Sequence, residues 1–149
     1  MNLETLKLGN VASHFLDSGS FSLWKKAADY ARKRHKEPYA FYHTKGFYRY
    51  MDDYAAFVKK YRRAIDLYVN VDVIPNPELT WRNQQYLEQF GLKPVPVVHF
   101  TTNLTWLKHY IERDYELIGV GGLVGSMSQE SCRSWLDEVF DVVCSTPGR

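Results

Sequence analysis

Four stretches of this 149-residue chain each end an apolar run in groups able to do acid–base or hydrogen-bonding chemistry. Asp17-Ser18-Gly19-Ser20 follows His14-Phe15-Leu16, and Asp72 follows Val69-Asn70-Val71. His99 ends Val95-Pro96-Val97-Val98, and Gly121-Gly122 follows Gly119-Val120. An ionised carboxylate only accepts hydrogen bonds, which suits it to reading a pair of ring N–H donors. A second carboxylate can give or take the proton of a departing base. Plainer roles stand beside each assignment: Asp17 as a cap before a turn, Asp72 as a turn-former ahead of Pro75, His99 as a polar strand end, the glycines as a tight turn. All four must hold at once for the rim to be inert.

For these groups to meet, the apolar runs must be parallel strands, whose C-terminal ends carry the ligand sites of α/β proteins. The chain supports that with a strand–helix rhythm. Strands are expected at Val11–Leu16, Ile65–Val71, Pro94–Phe100 and Glu116–Gly121. Helices are expected from Ser22, as its cap, to His35, over Asp52–Arg63, over Glu78–Phe90 with Gly91 ending it, after the cap Asn103, and from Ser128 through Val143. Pro38–Tyr50 reads as an aromatic loop. Alternation of this kind implies parallel pairing with right-handed crossovers. The expected fold is therefore α/β, a partial (half) TIM-type (β/α) barrel of about four parallel strands with flanking helices. It forms a single domain over residues 1–149, with an aromatic and basic insertion at about 37–50. Half a barrel leaves two strand edges and a sheet face open, so the chain is expected to be a truncated piece, or else a homo-oligomer or the partner of a complementing half-barrel chain.

Composition narrows the setting. The hydrophobic fraction of 45% and charged fraction of 24% are those of an ordinary globular protein. No apolar run approaches the ~20 residues of a membrane span, and the amino terminus lacks a signal-peptide core. The expected location is the cytoplasm (the host's, if phage-encoded), with no membrane partner. Cys132 and Cys144 fall on one helix about 18 Å apart, too far to pair, and no metal site or cofactor is expected. The net charge is only +2, but it is clustered: Lys25, Lys26, Arg32, Lys33, Arg34, His35 and Lys36 in one segment, Lys59, Lys60, Arg62 and Arg63 in another. Between them lie Tyr39, Phe41, Tyr42, Phe47, Tyr48 and Tyr50. Bases interleaved with aromatics suit phosphate neutralisation and base stacking, in particular at Lys25, Lys26, Arg32, Arg34, Lys59, Lys60, Arg62 and Arg63. The competing reading has the cations solvating helix faces and the aromatics fastening a loop.

The tips Asp17-Ser18-Gly19-Ser20-Phe21, Asn70-Val71-Asp72-Val73-Ile74-Pro75, Val97-Val98-His99 and Gly119-Val120-Gly121-Gly122-Leu123-Val124-Gly125 together resemble the tRNA-guanine transglycosylase superfamily. The likeness runs from about residue 9 to residue 143 and is nearest to the short phage and bacterial members associated with 7-deazaguanine bases in tRNA or DNA. It implies a base-exchanging pentosyltransferase acting on guanine or a 7-deazaguanine. It further implies Asp17 as the general acid/base, Ser18 as a base contact, Asp72 as the reader of the base edge, and Gly121 and Gly122 as backbone contacts to the exocyclic part. His99 stands where many members carry glutamine. The family's nucleophilic aspartate and cysteine-rich zinc site belong to the later half of the barrel, beyond Arg149. Asp137-Glu138-Val139-Phe140-Asp141 echoes the nucleophile motif, but its apolar spacing is helical and it follows Gly122 too closely. The alternative is a non-catalytic protein that binds a base or nucleic acid, or a relic that only self-assembles.

Overall fold

The computed structural model describes residues 14–100, 102–123 and 128–146. The expected strand start at Val11 to Ser13, and Val124 and Gly125 of the glycine motif, lie outside them. The elements run β1 (Phe15–Leu16), α1 (Ser20–Arg34), a 3-10 turn (Ala40–His43), α2 (Lys45–Lys60), β2 (Leu67–Tyr68), α3 (Pro77–Gln89), β3 (Val97–His99), α4 (Thr105–Ile111), β4 (Gly119–Gly121) and α5 (Gln129–Ser145). β1 lies parallel to β2, with Phe15 opposite Leu67. β3 lies parallel to β4, with Val97 opposite Gly119 and His99 opposite Gly121. A single parallel bridge, Val69 to Val95, joins the two pairs.

The protein is thus mixed α/β with a few short parallel strands. The described residues close no barrel, and their pairing is shorter than the expected strands. The reasons are local. Pro94 and Pro96 have no N–H to donate, so regular pairing in β3 begins only at Val97. Beyond the Val69 bridge and the Asn70 N–H, which donates to the Val95 carbonyl at 2.9 Å, Val71 and Val73 satisfy backbone groups on α3 side chains instead of on a neighbouring strand. The Val73 N–H donates to Thr80 Oγ1 at 2.8 Å, and Asn83 Nδ2 donates to the Val71 carbonyl at 2.8 Å.

Helix ends follow the chemistry of caps. Ser128 Oγ accepts from the Ser131 N–H, as the sequence predicts for the start of α5. At α4 the cap position is Leu104 rather than the expected Asn103, which stands one residue earlier and accepts from the Thr105 N–H through Oδ1. Ser22 is not the cap of α1. That helix opens two residues earlier behind Gly19, whose carbonyl accepts from Ser22 and Leu23. The aromatic loop is also corrected. Thr44 caps α2 by accepting from the Phe47 N–H, and Phe47, Met51, Tyr54, Ala55 and Val58 then form one buried helical face.

Two cores result. Leu23, Ala27, Phe47, Met51, Val58, Val71, Val73 and Leu87 pack beneath the first half. Val98, Leu107, Tyr110, Ile111, Trp135 and Val139 pack beneath the second. Phe15, Leu67 and Val120 leave large apolar side chains exposed on the strands. Cys132 and Cys144 are free thiols on α5. No helix among the described residues is long and apolar enough to cross a membrane.

Candidate functional site

At the end of β1 the chain turns on Gly19, with φ of 71°. A side chain there would suffer twice: φ is left-handed, and a Cβ would come within 3.3 Å of the Tyr50 hydroxyl. That hydroxyl donates to the Ser18 carbonyl and ties α2 to the β1 tip. Ser18 is buried, its Oγ 2.8 Å from Ser20 Oγ, while Asp17 projects into solvent. Burial, reinforced by the nearby Asp17 charge, raises the Tyr50 phenol above its ordinary value.

The second tip is held from α3. Asn70 is fully buried and donates from Nδ2 to the Thr80 carbonyl at 2.8 Å. With the Thr80 and Asn83 bonds to Val73 and Val71, this fixes the backbone on both sides of Asp72. Asp72 Oδ2 lies 2.7 Å from His99 Nε2, and both residues are buried, at 8% and 3% exposed. Because a carboxylate only accepts, His99 Nε2–H is the donor of this hydrogen bond. A buried carboxylate with an imidazole donor is held in one orientation.

Phenols surround this pair. Burial pushes the Tyr42 hydroxyl up to about 12, helped by the negative field of Asp72 and by Tyr39. Tyr54 and Tyr110 are raised for the same leading reason, with Asp72 a smaller contributor in each. Tyr54 donates to the Val69 carbonyl at 2.7 Å, whereas the buried Tyr42 hydroxyl has no hydrogen-bond partner among the described residues.

The fourth tip closes on His99. A Cβ on Gly121 would lie 3.1 Å from both His99 Cδ2 and Val97 Cγ1, so glycine is what lets β4 approach the imidazole. Gly122 follows with φ of 75°. The Asp72–His99–Gly121 contacts therefore join three of the four predicted tips. Ser18 and Asp17 stand on the first, one strand further over.

Two open grooves flank the strands. One of about 740 Å³ runs between Phe100, Thr102 and Asn103 at the end of β3 and Glu130, Ser134 and Trp135 of α5. The other, about 580 Å³, lies at the opposite strand ends around Lys93, Pro94 and Glu116. Neither is lined by Asp17, Asp72 or His99.

The cations expected to meet phosphates occupy exposed surface, Lys25, Lys26, Arg32 and Arg34 on α1, Lys59 and Lys60 at the end of α2, and Arg62 and Arg63 just beyond it. Of the aromatics between them, Tyr42 and Phe47 are 1% and 0% exposed core residues, and Tyr39, Phe41, Tyr48 and Tyr50 are half-buried. Sequence reasoning missed Thr80, Asn83 and Gln84. Their spacing, on the same helical face as Leu87, was the available signal. Among the described residues, no group of three or more His, Cys, Asp or Glu side chains is placed to hold a metal ion. Compared with protein-family models, curated proteins and solved structures, the chain matches none.

Proposed function

We propose that this protein recognises guanine or a 7-deazaguanine base, as the base-reading part of a pentosyltransferase-like system that exchanges bases in tRNA or DNA. The observation that carries the reading is the buried 2.7 Å contact between Asp72 and His99 at neighbouring strand ends. A desolvated carboxylate held by an imidazole is a strong acceptor for adjacent ring N–H groups. In this reading Asp72 reads the base edge and His99 orients it. Ser18 and the backbone of Gly121 and Gly122 contact the rest of the ring, and exposed Asp17 exchanges the proton. The parallel strands are then half of a barrel-type arrangement, in which the exposed Phe15, Leu67 and Val120 are covered by a second copy or a complementing chain.

No carboxylate in this reading is assigned to attack the sugar carbon, so binding is expected without turnover. Labelled guanine should not be exchanged into tRNA or duplex DNA by the chain alone. Isothermal titration with guanine and 7-cyano-7-deazaguanine tests the base site. Asp72→Asn should weaken binding by about 1–3 kcal/mol, because the amide presents a donor where an acceptor is needed. Equal affinity for the two proteins would remove Asp72 from the site. Robust exchange by the chain alone, lost in Asp17→Ala, would instead make it a complete enzyme.

A further inference from the structure

We propose that the outer face of α1 docks single-stranded nucleic acid, leading it along the helix to the rim at Ser18. The inference builds on the base-recognition reading for its location, but rests on separate observations. α1 turns Ser20, Leu23 and Ala27 inward and leaves Phe21 and Trp24 58% and 41% exposed. The two rings stack on each other, centroids 5.8 Å apart and planes within 20°. The Lys25 ammonium sits 4.5 Å from the Phe21 centroid. Two large aromatic rings in water at the head of a helix contribute nothing to either core. They begin one residue after the first, buried residue of α1, beside the predicted site.

Charge selects the partner. Between Ser20 and Lys36 there are six lysines and arginines and one acid, Asp29, a balance of +5. The whole chain carries only +2, so the other residues together carry −3. Asp29 is itself engaged by Arg32 at 2.7 Å and Lys33 at 4.0 Å. α1 and the two residues after it thus carry a local excess of positive charge, and the helix from Trp24 to Arg34 is about 15 Å long. Aromatic faces followed by a run of cations suit unpaired bases followed by their phosphates. A duplex hides its base faces and would use only the cations.

Fluorescence anisotropy with a labelled oligothymidylate tests the surface without a purine for the Asp72 site to read. Binding is expected at low salt and should weaken as salt rises. Replacing both rings (Phe21→Ala with Trp24→Ala) should raise Kd about tenfold or more. Lys25→Glu with Lys26→Glu should weaken binding and flatten its salt dependence. Trp24→Phe should keep most of the affinity, and Asp72→Asn all of it. Circular dichroism checks that the exposed substitutions leave the fold intact, and the charge variant tests the surface if the ring variant does not fold. The proposal is overturned by no binding to the oligonucleotide, or by ring and charge variants that bind as the wild type does. It is equally overturned if duplex binds as tightly as single strand, if phosphatidylserine vesicles bind and the oligonucleotide does not, or if the rings are needed only for a dimer. Loss of oligothymidylate binding with guanine binding retained sinks this surface alone. The converse result sinks the base site alone.

Discussion

In the first half of the molecule, β1 through α3, polar side chains reach inward to hold backbone. In the second, β3 through α5, apolar side chains and a closely approaching glycine do the work. Thr80 and Asn83 fasten Val73 and Val71, Gln84 donates to the Pro94 carbonyl, and Tyr54 donates to the Val69 carbonyl. Around β3 and β4, Val98 sinks among Leu107, Tyr110 and Trp135, and Gly121 lets the strands close on His99. Irregular backbone around Asp72 would leave buried polar groups unpaired, and α3 spends three of its inward positions on satisfying them and the neighbouring segment. Regular pairing in β3 and β4 needs no such help.

The comparison breaks most readily in the cores. Leu87→Ala and Leu107→Ala, one from each, should each cost about 2–5 kcal/mol, measured by urea unfolding. Both should shift one common transition, because Asp72 to His99, Val69 to Val95 and Gln84 to Pro94 cross between the halves. Two separate transitions, each sensitive to one variant, would make the halves independent. The clamp is next. Asn83→Leu leaves the buried Val71 carbonyl without its donor and should cost about 1–3 kcal/mol. A change near zero would mean that the segment holding Asp72 needs no side-chain support.

Alkali sharpens the comparison further, since buried phenols occur on both sides. Tyr42 is pushed up to about 12, and Tyr54 and Tyr110 are raised as well. In the unfolded chain these groups ionise near pH 10, so the folded state holds their protons while the unfolded state loses them. Stability is whole below pH 10 and falls as pH rises toward 12, by about 1.4 kcal/mol per pH unit for each such phenol. Tyr42→Phe should reduce that slope by one phenol's share, and an unchanged slope would contradict its burial. The smallest effect belongs to the second half. Gly121→Ala would bring a Cβ within 3.1 Å of His99 Cδ2 and Val97 Cγ1, and about 1 kcal/mol is expected.

Much of this was legible along the chain because it is local. Gly91 ending α3, Ser128 opening α5, and a strand leading to each tip all follow from residue type and neighbouring periodicity. The start of α2 was obscured because dense aromatics and Gly46 look like a loop, although Phe47, Met51, Tyr54 and Val58 already carry a helical period. The clamp was obscured for the opposite reason. Thr80, Asn83 and Gln84 occupy the face that an amphipathic pattern reserves for apolar residues, so their polarity reads as exposure until the backbone they serve is known. The pairing of Asp72 with His99, 27 residues apart, is tertiary. Sequence could nominate both as strand-end groups but not join them.

Whether that pairing is the working part of a base site is tested most directly by a double-mutant cycle read on guanine binding. Calorimetric titrations of the wild type, Asp72→Asn, His99→Gln and the double variant give the four corners. The account predicts that wild type binds, that each single change weakens binding by about 1–3 kcal/mol, and that the double change costs less than the sum by at least about 0.5 kcal/mol. Strictly additive losses, or a wild type that takes up no guanine, would contradict it.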